Sequence, residues 1–188
     1  MNDVPSLADG ETVTVSMSED GSPSAFNLIL HASDVDGDEL TWSITTQASH
    51  GVAIASGSGE SKAISYTPVA NYHGNDQFVV RVEDGQGGSD AITVNVDITA
   101  VNDAPSFSEG ETVTVSMSED GSPSAFNLTL HASDADGDEL TWSVTTKASH
   151  GTAISSGSGE SKAISYIPET NYYGSDSFVV QVEDGQGG

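Results

Sequence analysis

The segment AFNLILHASDVDGDELTWSITT, residues 25–46, contains two alternating apolar runs joined by a short acidic loop. Apolar residues occupy every second position from Phe26 to Ala32, and again from Leu40 to Ile44. Alternation with a period of two is typical of β-strands that bury one face. The segment therefore predicts two strands with the acidic loop as the turn between them.

The same alternation continues on both sides of this segment, and no stretch of helical length shows a 3.6-residue period. Short strands separated by Gly, Pro, Asp and Ser over about 100 residues are typical of an immunoglobulin-like sandwich. We therefore predict an all-β, Greek-key β-sandwich with no helix of note. The predicted strands of the first hundred residues are 11–18, 25–33, 39–46, 51–56, 62–67, 76–84 and 89–99.

The chain contains this pattern twice. Residues 1–88 recur as residues 101–188 without insertion or deletion, and the two copies differ at 18 of the 88 positions. A repeat of this size corresponds to a whole domain. We predict two tandem sandwiches in an elongated array, residues 1–100 and 101–188, the second lacking its last strand. That strand is absent either because the sequence is a fragment or because another chain supplies it.

The differences between the copies fit the predicted burial of each strand. Ile29 is replaced by Thr129 and Val52 by Thr152, at positions that the alternation assigns to the solvent face. Trp42 is unchanged in the second copy, on the opposite face. We expect this residue to be part of the core, with a sugar-stacking platform as the alternative.

The chain is strongly acidic, with 29 Asp and Glu against 4 Lys and Arg and a formal net charge of −25. Such a charge repels phosphates, so nucleic acid and anionic membrane surfaces are not expected partners. Cations are the natural partners, although acidity alone also fits a well-solvated surface. The chain has no cysteine and no apolar run long enough for a membrane span, so neither disulfides nor direct membrane insertion is expected.

The acidic loop places Asp34, Asp36 and Asp38 at alternate positions around Gly37. Two carboxylates about 4 Å apart repel by roughly 4 kcal/mol at an effective dielectric constant of about 20. A cation removes this cost, and Ca²⁺ accepts six to eight oxygen ligands in irregular geometry. The loop therefore predicts a calcium site, and it recurs in the second copy.

An EF-hand does not explain the loop. Counting from Asp34, the sixth position is Glu39 where an EF-hand requires Gly, and the twelfth is Thr45 where it requires Glu. A calcium ion here needs ligands from other segments.

The strand order separates the remaining acidic residues between the two ends of each sandwich. Strand direction alternates, so the turns after the second and sixth strands lie at the same end as the start of the chain. The turn after the first strand and the start of the sixth lie at the opposite end, near the exit. The junction between the domains would therefore collect Glu19, Asp20, Asp76, Asn102, Asp103, Asp134, Asp136 and Asp184.

Four motifs, taken in order, resemble the cadherin repeat in the tandem form found in large calcium-dependent bacterial surface adhesins. SEDGS resembles the glutamate motif after the first strand, and SDADGDELTWS is similar to the DxD motif with its following strand. VEDGQGG resembles the acidic residue and glycines after the sixth strand, and VNDAP the linker between repeats. The motifs occupy residues 18–22, 133–143, 82–88 and 101–105.

The resemblance implies which residues bind calcium. Asn102, Asp134, Asp136 and Asp184 would hold an ion at the start of the second domain. Glu19, Asp76 and Asp103, with Asp136 as a bridge, would hold one or two more at the end of the first. Asn2, Asp34, Asp36 and Asp84 would repeat the first set in part. Glu119, Asp120 and Asp176 would face a further domain, so we expect their site to be weak or empty. For Asp38 and Asp138, forming the turn and binding the ion are equally plausible roles.

The resemblance also implies a function. Calcium between neighbouring repeats would stiffen an array on a bacterial surface or outside the cell, for adhesion or as a spacer, and another cell-surface protein or a polysaccharide would be the adhesion partner. The alternative is a carbohydrate-binding module accessory to a polysaccharide-active protein, with Tyr72, Tyr172 and Tyr173 as stacking residues. An enzyme is not expected, because the Ser, His and Asp residues recur in both copies without converging on one cleft.

Overall fold

The computed structural model describes residues 1–22, 24–119, 121 and 124–187. The chain divides into two compact units, Met1–Val101 and Asn102–Gly188, called here the first unit and the second unit. Every element of regular structure in these described residues is a β-strand. The all-β prediction is therefore confirmed, and each unit is described by itself below.

The first unit is a sandwich of two sheets with nine strands. The strands are β1 (Ser6–Leu7), β2 (Thr12–Ser18), β3 (Leu28–Ser33), β4 (Thr41–Thr46), β5 (Gly51–Ile54), β6 (Gly57–Ser58), β7 (Ser61–Pro68), β8 (Gly74–Glu83) and β9 (Ser89–Thr99). One sheet has the order β1-β3-β7-β5 and the other β2-β9-β8-β4-β6. Consecutive strands change sheets repeatedly, as they do in an immunoglobulin-like sandwich.

Strand β9 lies inside the larger sheet and connects two of its strands. It pairs parallel with β2 along seven residues, from Thr12 opposite Thr93 to Ser18 opposite Thr99. On its other side it pairs antiparallel with β8 along the full length of that strand. Both neighbours therefore depend on β9 for the hydrogen bonds on that side.

The inward faces of the two sheets form the core of the first unit. Leu30, Phe78, Val80 and Val94 have no exposed surface, and Trp42 is buried while its Nε1 donates a hydrogen bond of 2.7 Å to the carbonyl of Gly59. The assignment of this tryptophan to the core is thus confirmed. Complete burial of a Leu, Val or Phe side chain stabilises the fold by about 1.5–3 kcal/mol.

All seven strands predicted from the alternation are present in the first unit, and β9 has the predicted bounds, 89–99. Strand β3, the second of the predicted strands, begins at Leu28, three residues later than expected. Two strands of two residues each, β1 and β6, were not predicted. Ile29 and Val52 are more than half exposed, which confirms their assignment to the solvent face.

The second unit repeats most of this architecture. Its strands are β10 (Ser106–Phe107), β11 (Leu128–Ser133), β12 (Thr141–Thr146), β13 (Gly151–Ile154), β14 (Gly157–Ser158), β15 (Ser161–Pro168) and β16 (Val179–Glu183). The smaller sheet, β10-β11-β15-β13, matches its counterpart in the first unit. The larger sheet is reduced to β14-β12-β16.

Two differences in the second unit have the same cause. Residues 112–118 repeat the sequence of β2 without forming a strand. Strand β16 begins only at Val179, whereas its counterpart β8 begins at Gly74, the equivalent of Gly174. The described residues of the second unit, which extend to residue 187, include no strand equivalent to β9. Without that partner, both flanking segments lose the hydrogen bonds that define a ladder.

Candidate metal centre

The acidic loop after β3 folds around the carboxylate of Asp34. Its Oδ1 accepts hydrogen bonds from the backbone N–H of Asp36 at 2.9 Å and of Asp38 at 3.4 Å. Gly37 has a φ of 76°, which favours glycine and lets the chain reverse within the loop. As a result, one oxygen from each of the three aspartates lies within 4.8 Å of the other two.

The second unit forms the same loop. Asp134 Oδ1 accepts from the N–H of Asp136 at 2.9 Å and of Asp138 at 3.1 Å, and the three aspartates cluster within the same 4.8 Å limit. The repetition follows from the sequence, because DxDGDEL is common to both copies. Each unit thus carries its own group of three carboxylates.

The first residues of each unit complete the acidic cluster. In the first unit, Asn2 Nδ2 donates to Asp84 Oδ2 at 2.8 Å, and the N–H of Asp3 donates to Asp36 Oδ2 at 2.7 Å. In the second unit, Asn102 binds Asp184 at 2.7 Å and the N–H of Asp103 binds Asp136 at 2.7 Å. The residues that the resemblance implied as ligands at this end therefore come together within each unit. They are Asn2, Asp34, Asp36 and Asp84 in the first unit and Asn102, Asp134, Asp136 and Asp184 in the second.

Asp84 is held in place by the glycine-rich turn that follows β8. Its Oδ1 accepts from the N–H of Gln86 at 2.7 Å and of Gly88 at 2.9 Å, and only 3% of the residue is exposed. The hydrogen bond from Asn2 is the main reason why the pKa of Asp84 lies below its usual value, with further N–H donors of the turn adding to it against the effect of burial. A Cβ at Gly88 would collide with Asp84 Oδ2, which explains the glycine at this position.

The electrostatics of the cluster favour a bound cation. Asp34 Oδ2 and Asp134 Oδ2 are both buried and have no hydrogen-bond partner within the protein. A buried polar atom without a partner costs about 1–3 kcal/mol, and a charged one costs more. Burial, followed by repulsion from Asp34, Asp36 and Asp84, raises the pKa of Asp38. Such a donor set, made of carboxylate and amide oxygens, matches a hard divalent cation such as Ca²⁺.

The opposite end of the first unit contains a second buried carboxylate. Glu19 is 3% exposed, and its Oε1 accepts from the N–H of Val101 at 2.6 Å. Its Oε2 is buried without a hydrogen bond, and His73 Nδ1 lies 3.8 Å from it. The sequence analysis did not anticipate this histidine, which is replaced by Tyr173 in the second copy.

Asp76, which the resemblance implied as a ligand at this end, accepts four hydrogen bonds within the protein. Its Oδ1 accepts from the N–H groups of Ser49 and Gln77, and its Oδ2 accepts from the N–H of His50 and the hydroxyl of Tyr66, at 2.8–2.9 Å. These four bonds use the lone pairs that a carboxylate offers. Through these bonds the residue connects the turn before β5 to the first part of β8.

The hydrogen bonds to Asp76 and Asp176 predict a loss of stability in acid. Burial raises the pKa of Asp176, but the N–H groups of Ser149 and His150 and the Tyr166 hydroxyl outweigh it and lower the pKa to about 2. The charged form is favoured in the folded state, so its contribution is present above the unfolded pKa of about 3.9 and is lost as the pH falls towards 2. We expect the melting temperature in chelator to decrease between about pH 4 and pH 2. The melting temperature of the Asp176→Asn variant should decrease less steeply with falling pH. An unchanged slope would contradict this prediction.

The remaining acidic residues at this end of the second unit are more open. Glu119 is exposed and Asp176 is partly buried, whereas their counterparts Glu19 and Asp76 are buried. In the first unit the N–H of Glu19 donates to the carbonyl of Thr99 in β9, a strand without an equivalent here. Asp120 lies outside the described residues.

The tyrosines considered as sugar platforms divide into two groups. Tyr72 stacks on His50 with ring centroids 4.0 Å apart, and its hydroxyl donates to the carbonyl of Asn75 at 2.8 Å. Tyr172 stacks on His150 in the same way at 4.2 Å. These two rings pack the loop before the sixth predicted strand. Tyr173, in contrast, is 87% exposed.

Comparison with known proteins agrees with a tandem of immunoglobulin-like domains. A sequence model of the bacterial Ig domain matches residues 2–97 and again residues 102–188, so the chain belongs to the bacterial Ig domain family. Human protocadherin Fat 1 is 32% identical over 146 residues, which cover 73% of this chain but only 3% of Fat 1. The resemblance to cadherin repeats is therefore confirmed at the level of the repeat.

A solved cadherin structure supports the same fold. The cadherin domains 1–4 of protocadherin gamma B7 cover 96% of this chain at 16% identity with a TM-score of 0.50, and the chain spans 49% of that structure. An endo-fucoidan hydrolase of glycoside hydrolase family 107 covers 96% of the chain at 21% identity with a TM-score of 0.44, and the chain spans 27% of it. No helix among the described residues is long and apolar enough to cross a membrane.

Proposed function

We propose that this chain is a calcium-binding repeat segment of a bacterial surface or secreted adhesin, in which calcium stiffens the connection between neighbouring repeats. The observation that carries the proposal is the buried Oδ2 of Asp34 and of Asp134, each without a hydrogen-bond partner inside a group of three carboxylates. A bound Ca²⁺ would supply the missing partner and neutralise the mutual repulsion.

The ligands would come from the start, the acidic loop and the glycine turn of each unit. Because Asn102 uses its Nδ2 to bind Asp184, its Oδ1 is the ligand atom that this side chain would offer. In the proposed second-unit site, Asp134 and Asp136 supply carboxylate oxygens, and Asp103 holds Asp136 through its backbone N–H. Asp138, whose pKa is raised first by burial and then by Asp134 and Asp136, would gain from the cation in the same way.

Three consecutive residues relate these sites to the linker. Val101 donates its N–H to Glu19, Asn102 donates its side chain to Asp184, and Asp103 donates its N–H to Asp136. Calcium bound by these carboxylates would therefore restrict the backbone between β9 and β10, which Pro105 already limits at Ala104. In calcium-poor solution the same carboxylates would repel each other, and the linker would gain freedom.

The proposed location is the exterior of a bacterial cell. Extracellular calcium modules typically bind at about 10⁻⁴–10⁻³ M, which suits external calcium concentrations and not the cytosol. The membership in the bacterial Ig domain family and the similarity to cadherin repeats support this location and a role in adhesion. The adhesion partner would be another cell-surface protein or a polysaccharide, and the role as a spacer requires no partner beyond the neighbouring repeats.

The test is a calcium titration by isothermal calorimetry, with the metal content of the dialysed protein measured in parallel. We expect wild-type protein to bind calcium at both clusters and Asp134→Asn to weaken the second-unit site at least about tenfold, because one carboxylate ligand becomes neutral. Glu160→Gln is the matched control, since it removes the same charge from an exposed position outside the cluster. Equal affinities of the two variants, or no calcium binding by the wild type, would refute the proposal.

A further inference from the structure

The first unit carries a polar cavity of about 490 Å³ beside the larger sheet. Sites for small ligands typically have volumes of roughly 300–1,000 Å³. The walls come from β2, β8, β9 and the turn before β5, and they include Thr14, His50, Asn75, Gln77, Asn95 and Asp97. The acidic loop after β3 contributes no residue, so this cavity is separate from that cluster of carboxylates.

Three of the lining side chains form a row across the sheet. Asn95 of β9 lies opposite Thr14 in the parallel ladder with β2 and opposite Gln77 in the antiparallel ladder with β8. Residues opposite each other in neighbouring strands project from the same face. Because strands are spaced by about 4.7–4.9 Å, the row is about 9–10 Å long. Such a row suits an elongated ligand better than a single ion.

The polar groups of this row are available to a ligand. Within the part of the chain that the structure describes, the Thr14 hydroxyl and the side-chain amides of Gln77 and Asn95 form no hydrogen bond. Thr14 and Gln77 are exposed, and Asn95 is half-buried. An amide offers both donors and an acceptor, as a hydroxyl does. These groups therefore match the hydroxyls of a sugar, each of which also donates and accepts.

The other lining side chains are already oriented by contacts within the protein. Asn75 Nδ2 donates to Asp97 Oδ1 at 2.6 Å, which leaves Asp97 Oδ2 as an acceptor. The ring of His50 stacks on Tyr72 with centroids 4.0 Å apart and planes 2° apart, and its backbone N–H donates to Asp76 at 2.9 Å. Such preorganisation lowers the entropic cost of binding.

We propose that this cavity binds a neutral polysaccharide through the hydroxyl groups of two neighbouring sugar units. The inference rests on the proposed role in adhesion and specifies the class of partner. Gln77 and Asn95 would form paired hydrogen bonds with adjacent hydroxyls, and Asp97 would accept from a further one. Tyr72 would act only by orienting His50, because its ring does not line the cavity.

Charge favours a neutral glycan over an anionic one. Asp76 and Asp97 both line the cavity, and the whole chain has a formal net charge of −25. Sulfated or uronic polysaccharides would therefore be repelled. A cation is also a poor occupant, because Asp76 already accepts four hydrogen bonds and Asp97 is the only other carboxylate among the described lining residues.

A protein partner fits the cavity less well than a glycan. Protein interfaces gain most of their affinity from aromatic or apolar anchors in well-packed pockets. Every described residue that lines this cavity is polar, so such an anchor would find no apolar surface here.

The second unit differs at the two amides that β8 contributes. Asn75 and Gln77 correspond to Ser175 and Ser177. The surroundings are otherwise retained, since Asp176 accepts the same four hydrogen bonds as its counterpart. We therefore assign the binding to the first unit. The serines also provide a substitution that the same fold already accommodates.

The experiment is affinity electrophoresis of the 188-residue chain in native gels. The neutral probes are laminarin, galactomannan, xyloglucan and dextran, and the anionic probes are alginate and dextran sulfate. We expect at least one neutral probe to retard the chain, both in calcium and in chelator, because the cavity lies within the first unit. Neither anionic probe should do so.

Matched variants locate the binding. Combining Asn75→Ser with Gln77→Ser should raise the dissociation constant at least about tenfold, because two amide contacts are lost. Asn27→Ser combined with Asn127→Ser removes two exposed amides outside the cavity and should bind like the wild type. Thr14→Val, at an exposed strand position, should weaken binding about threefold without affecting the contact between β8 and β9. Melting temperatures confirm that each variant is folded.

Three results would overturn the proposal. They are no retardation by any neutral probe, equal retardation of the serine variant and its control, and retardation by the anionic probes alone. Calcium titration of the same preparations separates this inference from the proposed calcium binding. Calcium binding without retardation refutes only the polysaccharide site, and retardation without calcium binding refutes only the calcium sites.

Discussion

Raising calcium from chelator to about 10 mM should increase the melting temperature by roughly 6–20 °C. A site with a dissociation constant of about 10⁻⁴–10⁻³ M stabilises the folded state by about 1.4–2.7 kcal/mol at this concentration. In a domain of about 100 residues, each kcal/mol shifts the midpoint by about 4–8 °C. The stabilisation originates in the three carboxylates of each acidic loop, one of which has a buried oxygen without a hydrogen-bond partner.

The measurement is scanning calorimetry of the same preparation with calcium, with magnesium at equal concentration, and with chelator. Magnesium should have a much smaller effect, because it requires near-octahedral geometry and releases its water reluctantly. The two units provide an internal control. Combining Asp134→Asn with Asp136→Asn should abolish the shift of the second unit's transition and leave that of the first unit. A calcium-independent wild type would remove the basis of the proposed function.

Period-two alternation was sufficient to predict the strands that build the sandwich. From Ile92 to Ile98 every second residue of β9 is apolar and buried, so the strand is predicted with its full length. Strands β1 and β6 have two residues each, which is too short for a period to be recognised. Their pairing is decided by neighbours such as Ala32 and Trp42, which are distant in sequence.

The loss of the strand at 112–118 illustrates the limits of local sequence. These residues are identical to β2, and the two segments nevertheless differ in structure because β2 pairs with β9, a strand without a counterpart among the described residues of the second unit. Strand formation depends on a partner as well as on the alternation itself.

The candidate metal centre was predictable in part for similar reasons. The loop from Asp34 to Asp38 is local, so its spacing is sufficient to bring the carboxylates together. Asp76 has the same residue type at a plausible position, but its hydrogen-bond donors Ser49 and His50 are 27 and 26 residues away, respectively. Only the fold shows that this carboxylate is already satisfied.

The near-identical units allow the contribution of β9 to be measured by one substitution made twice. Phe78→Ala should cost about 3–5 kcal/mol, because the ring is completely buried. Phe178→Ala should cost about half as much, because that residue is only partly buried. Both rings have matching aromatic neighbours, with Tyr66 and Tyr166 each at 5.8 Å, so the presence of β9 is the main difference.

Urea unfolding in saturating calcium, followed by hydrogen exchange of peptides from each unit, gives the two values separately. Saturation keeps both acidic clusters in the same state, so that the substitutions report packing alone. Equal destabilisation of the two units would mean that Phe178 is covered in solution by something other than β9. In a sandwich of this type, the cost of removing a core ring is therefore a direct measure of whether the last strand is in place.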